Sequence, residues 1–228
     1  MDVQKDRCYA ALTGDVIKSS RLKADDRGRL HDTILKVGGE LGKFFPDLLL
    51  GEISIFRGDS IQFLLTEPTK ALRTALFFRA ALKAAGAPSR IDMRFAIGVG
   101  GIDFLPENST GGADGEAFRL SGQALDDLPL KQTLGLAVPE NRIDPGCLQP
   151  LQTVVAMAGI LAERWSVKQA LAVKGALLDR TQEEIREFWP DGVSRQAVAK
   201  NLDAAGWFAV EGAVKCFENF RFEISATT

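Results

Sequence analysis

Two aspartates stand where short turns end or join apolar runs. Asp15 lies near the end of the strand-length run 8–17 (CYAALTGDVI), and Asp59 sits in Arg57-Gly58-Asp59-Ser60, between the runs 52–56 and 61–66. Two carboxylates brought close together repel each other, and a hard cation relieves that repulsion while binding phosphate oxygens. If the strands that carry them are neighbours, Asp15 and Asp59 form a site for Mg2+ or Mn2+. Aspartate also suits a turn for its own sake, so a pair of simple turns is the other reading. Arg57 and Arg119 are candidate cations for a phosphate at that site; the rival reading makes both solvated surface charges.

A second candidate lies near the C-terminus, in TQEEIREFWPDGVSRQAVAKNLDAAGWFAV. Thr181 and Glu184 have capping-box spacing. Asp191-Gly192 makes a turn, Ser194 caps a helix running to Ala205, and Gly206 stops it. This is helix-turn-helix patterning, in which the start of the second helix reaches base edges. Ser194, Arg195, Gln196 and Lys200 are the expected DNA-binding residues, with Ile185, Val193, Val198 and Leu202 in the interior. Residues 151–228 hold nine Lys/Arg and ten Asp/Glu, a net of −1. Phosphate attraction dominates non-specific affinity, so the motif speaks for architecture more than for DNA binding. Protein packing or dimerisation is the alternative.

Other chemistry-bearing residues read as bland. His31 is the sole histidine and falls on the polar side of a helix, where a solvent-facing role is expected. A Ser-His-Asp triad has no other histidine to use, and no nucleophile elbow is present. GVGG and TGG lack the lysine that follows a phosphate loop. Glu116 reads as a helix-start charge. Trp165, Trp189 and Trp207 read as packing residues.

The elements that must position these residues follow from periodicity. The order is a strand over 8–17, a helix over about 25–45, strand-like runs at 52–56 and 61–66 joined as a hairpin, and a helix between Pro68 and Gly86. A strand at 91–99, with Ile91, Met93, Phe95, Ile97 and Val99 on one face, precedes a helix at 115–128 and a strand at 133–138. This is an α+β, ferredoxin-like order with an addition. Pro139, Pro145 and Pro150 mark a linker. Helices at 151–163 and 166–178 lead into the helix-turn-helix, and 207–210 with 216–224 pair as a wing. The expected division is a ferredoxin-like domain over 1–148 and a winged helix-turn-helix domain over 149–228.

Composition sets the outer bounds. The chain has 228 residues, 46% of them apolar, with a net charge of −2. That excludes a strongly basic nucleic-acid binder. No run of about 18 apolar residues exists, so no membrane span is expected. Three scattered cysteines argue against a disulfide framework or a structural zinc, and the cytoplasm is the expected compartment.

GDVIKSSRL, FRGDSIQFLL, MRFAIGVG, GEAFRLSGQALD and the terminal helix-turn-helix, in that order, resemble the SatD family of bacterial proteins over nearly the whole chain. That family has no settled activity. The same segments resemble, more distantly, the class III nucleotide cyclases. The resemblance implies that Asp15 and Asp59 occupy the two metal-binding positions. It also implies paired subunits, hence a homodimer. The departures are specific: Arg119 and Gln123 stand where the cyclases carry a catalytic Asn and Arg, and Ile55 stands at the purine-reading Lys position. Ordinary cyclase chemistry, which needs charge stabilisation at the leaving pyrophosphate, is therefore not expected. Three readings remain open: a regulator that senses a metal or nucleotide and binds DNA, a metal-dependent enzyme acting on a phosphate substrate, and an interaction protein with neither chemistry.

Overall fold

A computed structural model describes residues 3–4, 7–19, 23–56, 58–85, 91–106 and 110–222. The first part of the chain forms β1 (Tyr9–Val16), α1 (Ala24–Phe44), β2 (Ser54–Phe56), β3 (Ser60–Leu65), α2 (Ala71–Ala84), β4 (Met93–Gly100), α3 (Glu116–Asp126) and β5 (Leu134–Ala137). The strands make one sheet in the order β2-β3-β1-β4-β5. Its first four members are antiparallel neighbours, and β5 adds to β4 in parallel. This is the ferredoxin-like order expected from the sequence, extended by one edge strand.

Strand alternation divides the sheet into two faces. Ala10, Leu12 and Val16 of β1 pack with Leu30, Ile34, Leu72 and Leu76 of α1 and α2. Tyr9 and Ala11 turn the other way, toward Ala117 and Phe118 of α3. The IGVG segment explains how closely α3 approaches. A Cβ on Gly98 would lie 2.2 Å from the carbonyl oxygen of Ala117. The glycine is there for helix-on-strand contact, not for a phosphate.

Among the described residues only helices follow: α4 (Pro145–Glu163), α5 (Val167–Ala176), α6 (Gln182–Arg186), α7 (Arg195–Ala204) and α8 (Trp207–Glu218). Three expectations need correction. The linker proline Pro145 opens α4, in the first turn where a missing N–H costs nothing. Asp144 caps that start by accepting from the Gly146 N–H at 2.9 Å, and Pro150 lies inside the helix. The helix therefore starts before residue 151. The expected wing is corrected as well: residues 207–218, which hold its first strand and the start of its second, are helical. Val210, Val214 and Phe217 are buried at a spacing of four and three, which is a helical face. Gly206, at φ 72°, both ends α7 and turns the chain into α8. The rest of the expected wing is irregular over 219–222 and falls outside the described residues from 223.

The helical part does not bury its apolar residues apart from the sheet part. Val155, Val173, Val198 and Val214 belong to the same apolar core as Phe63, Phe77 and Phe95. Polar bonds cross the seam. Arg79, fully buried in α2, donates through Nε and Nη2 to both Asp92 carboxylate oxygens at 2.9 and 2.7 Å. Its Nη1 reaches Thr133 Oγ1 and the Gly159 carbonyl in α4. Arg73 of α2 holds Glu218 of α8 through Nε and Nη2 and also donates to the Leu177 carbonyl.

Candidate functional site

Asp15 and Arg94 are cross-strand partners in the β1–β4 pair, and Ser60 faces Asp15 from β3. All three therefore share the α3 face. Arg94 donates in bidentate fashion, Nε to Oδ1 at 2.9 Å and Nη2 to Oδ2 at 2.5 Å, with both side chains 28% exposed. The hydrogen bond to Asp15 raises the Arg94 pKa further above its already high value, against the opposing effect of burial. Around this pair the sheet face is polar: Thr13 Oγ1 lies 2.7 Å from Ser121 Oγ and accepts from Gln62 Nε2.

Asp59 stands one residue before Ser60, and its carbonyl accepts from the Val16 N–H at 3.1 Å. Its carboxylate accepts from Ser19 Oγ at 2.5 Å. Asp59 lines a cleft of about 430 Å3 with Ser19, Gly58, Arg27, Gly28, Leu30 and His31. The cleft thus forms where the β1–α1 connection, the first turns of α1 and the β2–β3 hairpin converge.

The expected pair is therefore placed at one end of the sheet, but with separate partners. Asp15 has a guanidinium and Asp59 a hydroxyl. A cation bridging the two would have to compete with Arg94 for Asp15. Among the described residues no group of three or more His, Cys, Asp or Glu is placed to hold a metal ion. A hard cation here would draw its ligands from Asp59, the Ser19 hydroxyl and the phosphate it carries, with Asp15 joining as Arg94 yields.

Arg57 lies outside the described residues. Arg119 is 58% exposed and bonded to Asp114 at 2.7 Å and Asp103 at 3.1 Å. These carboxylates, beginning with the hydrogen bond to Asp103, hold its pKa up. In this arrangement it serves the 103–114 loop.

His31 lines the Asp59 cleft and is 48% exposed. Sequence reasoning set it aside as surface. The signal was its place one helical turn after Arg27, but only the packing of α1 against the hairpin shows what that turn faces. Arg94 was missed in the same way: alternation put it on the polar face of β4, and only the register put it opposite Asp15.

Glu116 does begin a helix, and it has partners besides. It pairs with Arg142 at 2.8 Å and accepts from the Gly101 N–H. Arg142 also donates to the Cys8 sulfur at 3.2 Å. Burial pushes the Cys8 thiol up, outweighing the pull of Arg142. That thiol is therefore a poor nucleophile.

At the other end of the chain, Ser194 accepts from the Ala197 N–H and caps α7. Arg195, Gln196 and Lys200 are exposed on its first two turns. Arg195 Nε lies 3.4 Å from Gln182 Oε1 of α6. The capping box of Thr181 and Glu184 is formed, and hydrogen bonds from the Thr181 backbone and hydroxyl hold the Glu184 carboxyl below its usual range. Eight residues, 187–194, separate α6 from α7, longer than the usual turn of about three or four.

No family model matches the chain, and no curated protein matches it by sequence. Solved structures resemble it in part. The guanylyl cyclase Cya2 aligns over 60% of this chain and 77% of its own, at 15% identity and a TM-score of 0.41. A bacterial light-regulated adenylyl cyclase aligns over 60% of this chain and 44% of its own, at 13% identity and a TM-score of 0.41. The active GGEEF domain of a diguanylate cyclase from Vibrio cholerae aligns over 58% of this chain and 83% of its own, at 12% identity and a TM-score of 0.40. At these values the likeness concerns the course of the chain alone.

Proposed function

We propose that the chain is a regulator whose Asp59 cleft takes a phosphate-bearing ligand, a nucleotide with Mg2+ or Mn2+, and whose α6–α7 pair contacts DNA. The observation that carries the first half is the cleft itself. A carboxylate, a hydroxyl, an arginine and the only histidine of the chain line one opening at the start of a long helix. Asp59 suits the cation, and Ser19 and Arg27 suit phosphate oxygens. Asp15 is the second carboxylate of the ion site, exchanging Arg94 for the metal. The DNA half rests on the exposed, capped start of α7, with Ser194, Arg195, Gln196 and Lys200 as contacts. The order of the sequence motifs supports a SatD-like protein. No described helix is long and apolar enough to cross a membrane.

Calorimetry with Mg2+ or Mn2+, alone and with nucleoside triphosphates, tests the cleft. Binding that Asp59→Asn weakens at least tenfold is the expected result; binding unchanged by that substitution removes the proposal. DNA contact is tested by titrating mixed duplex fragments across salt concentrations. Arg195→Ala with Lys200→Ala should weaken binding and flatten its salt dependence. No complex at low salt would remove that half while leaving the cleft untouched.

One observation favours a metal-dependent enzyme as the second reading. His31 shares the cleft with Asp59, and an imidazole near a metal-bound water can act as general base. Turnover of a nucleoside triphosphate that His31→Gln abolishes, with binding retained, would establish it.

A further inference from the structure

Strand β5 is an edge of the sheet, and an edge strand leaves one row of backbone groups without a neighbouring strand. The Thr133 carbonyl, just before β5, accepts from the Phe95 N–H of β4, so the carbonyls of Leu134 and Leu136 fall on the outer side. Side chains close them. Gln132 Nε2 donates to the Leu134 carbonyl at 2.7 Å, and Gln152 Nε2, from α4, donates to the Leu136 carbonyl at 3.0 Å. A carbonyl can only accept, so each amide turns its nitrogen to the strand and its oxygen away from it. Among the described residues no donor meets either amide oxygen.

Both glutamines line a pocket of about 360 Å3 between the end of α3, β5 and α4. Small-molecule sites start at roughly that size, about 300 Å3. Asp127, which ends α3, is exposed on the same lining, and among the described residues no cation pairs with its carboxylate. The Ala124 carbonyl, in the last turn of α3, lies 3.8 Å from where a Gly135 Cβ would stand, and both residues line the pocket. Carbonyls at a helix C-terminus carry partial negative charge. Leu128, Leu136 and Ala156 supply apolar wall. Among the described lining residues none is Lys, Arg or His; Lys131 is exposed and outside the lining. The Asp59 cleft shares no residue with this pocket.

The pocket thus presents fixed acceptors and one full negative charge beside an aliphatic wall. A phosphate or carboxylate would meet only like charge. A bare divalent cation would want more carboxylates and would make no use of the apolar wall. The complement is a cation with several N–H groups on a short hydrocarbon arm. We propose that the α3–β5–α4 pocket binds a small organic cation, an alkylguanidinium or alkylammonium compound. Its head donates to Asp127 and to the two amide oxygens, and its arm lies along Leu128 and Leu136. Binding need not reorient either amide, because β5 already holds it, and that lowers the ordering cost.

Calorimetry of the full chain with butylguanidinium and butylammonium is the test, with butylurea as the uncharged counterpart of the first. The tighter of the two cations should show a dissociation constant on the order of 100 µM, within what about eight non-hydrogen atoms can supply. Butylurea should bind at least about tenfold more weakly, as loss of a charge-assisted hydrogen bond does. Asp127→Asn should weaken the cation about tenfold for the same reason, and Asp127→Lys should abolish its binding. Both variants should fold, because Asp127 is exposed and a lysine suits a helix C-terminus. In nitrogen–proton correlation spectra, the side-chain amides of Gln132 and Gln152 should shift as the cation is added. No saturable binding of either cation up to about 10 mM overturns the proposal. So does butylurea binding as tightly as the cation, or an Asp127→Lys variant that binds like the wild type. Binding lost in Asp59→Asn but kept in Asp127→Asn would place the cation in the other cleft and overturn it equally.

Discussion

Two bidentate arginine–aspartate pairs sit two residues apart at the start of β4 and differ in almost every other respect. Arg79 is wholly buried and Asp92 is 9% exposed, and their remaining groups bond to Lys83, Thr133, the Gly159 carbonyl and the Met93 N–H. Arg94 and Asp15 are each 28% exposed and lie on the other face of the sheet, near the polar group of Thr13, Gln62 and Ser121. The first pair is saturated, and it fastens the sheet to α4. The second has solvent on one side, so a ligand or cation can exchange with either partner at modest cost. Similar residue chemistry thus serves as a bolt where it is dry and as an exchangeable contact where it is wet, because the desolvation cost of breaking a pair grows with burial.

The largest effect that would test this contrast is expected at Asp92. Asp92→Asn leaves a buried guanidinium short of its counter-charge and should lower stability by about 3–5 kcal/mol in urea unfolding. The double change Arg79→Met with Asp92→Leu should recover much of that loss. A single variant as stable as the wild type would end the bolt interpretation.

Next in size is Glu218, which Arg73 ties to α2. Burial raises its pKa, but the Arg73 hydrogen bonds and charge prevail, and its carboxyl is held below the usual range. A depressed carboxyl stabilises the fold above its unfolded pKa and loses that contribution as pH falls through the folded value. Glu218→Gln should therefore cost about 2–3 kcal/mol near neutral pH. The gap from wild type should close on acidification below about pH 4. A pH-independent gap would show that the shape of the side chain, not its charge, matters.

Asp15→Asn should cost only about 0.5–1 kcal/mol, as expected for a part-exposed pair. It should also weaken Mn2+ binding if the cation replaces Arg94. A loss as large as that of Asp92→Asn would erase the difference between the two pairs. The smallest effect is expected at Arg119: Arg119→Ala should leave the melting temperature unchanged, because its partners Asp103 and Asp114 are exposed with it.

The comparison also shows which parts of the site could be read in advance. Alternation at residues 91–99 located β4 and the polar side on which Arg94 lies. Thr181 with Glu184, and Gly206, marked helix ends by local hydrogen bonding and backbone geometry, and the structure has them there. Pro145 misled, because a proline reads equally as a linker and as a first helical turn. Residues 207–218 misled because Trp, Phe and Val suit strands, although the buried positions 210, 214 and 217 already had a helical period.

Local sequence carried the order of strands and helices as far as α7, most of their boundaries, the caps, the strand that holds Asp15 and the turn that holds Asp59. Those features depend on neighbours within a few residues, where backbone geometry and periodicity act. Tertiary structure decided who meets whom. It set Arg94 against Asp15, brought His31 and Ser19 to Asp59, and joined the helical part to the sheet part through one core. These contacts reach far along the chain, across 40 positions from Ser19 to Asp59, 79 from Asp15 to Arg94 and 145 from Arg73 to Glu218. They follow from sheet register and helix packing, which burial of the whole chain fixes and no local pattern encodes.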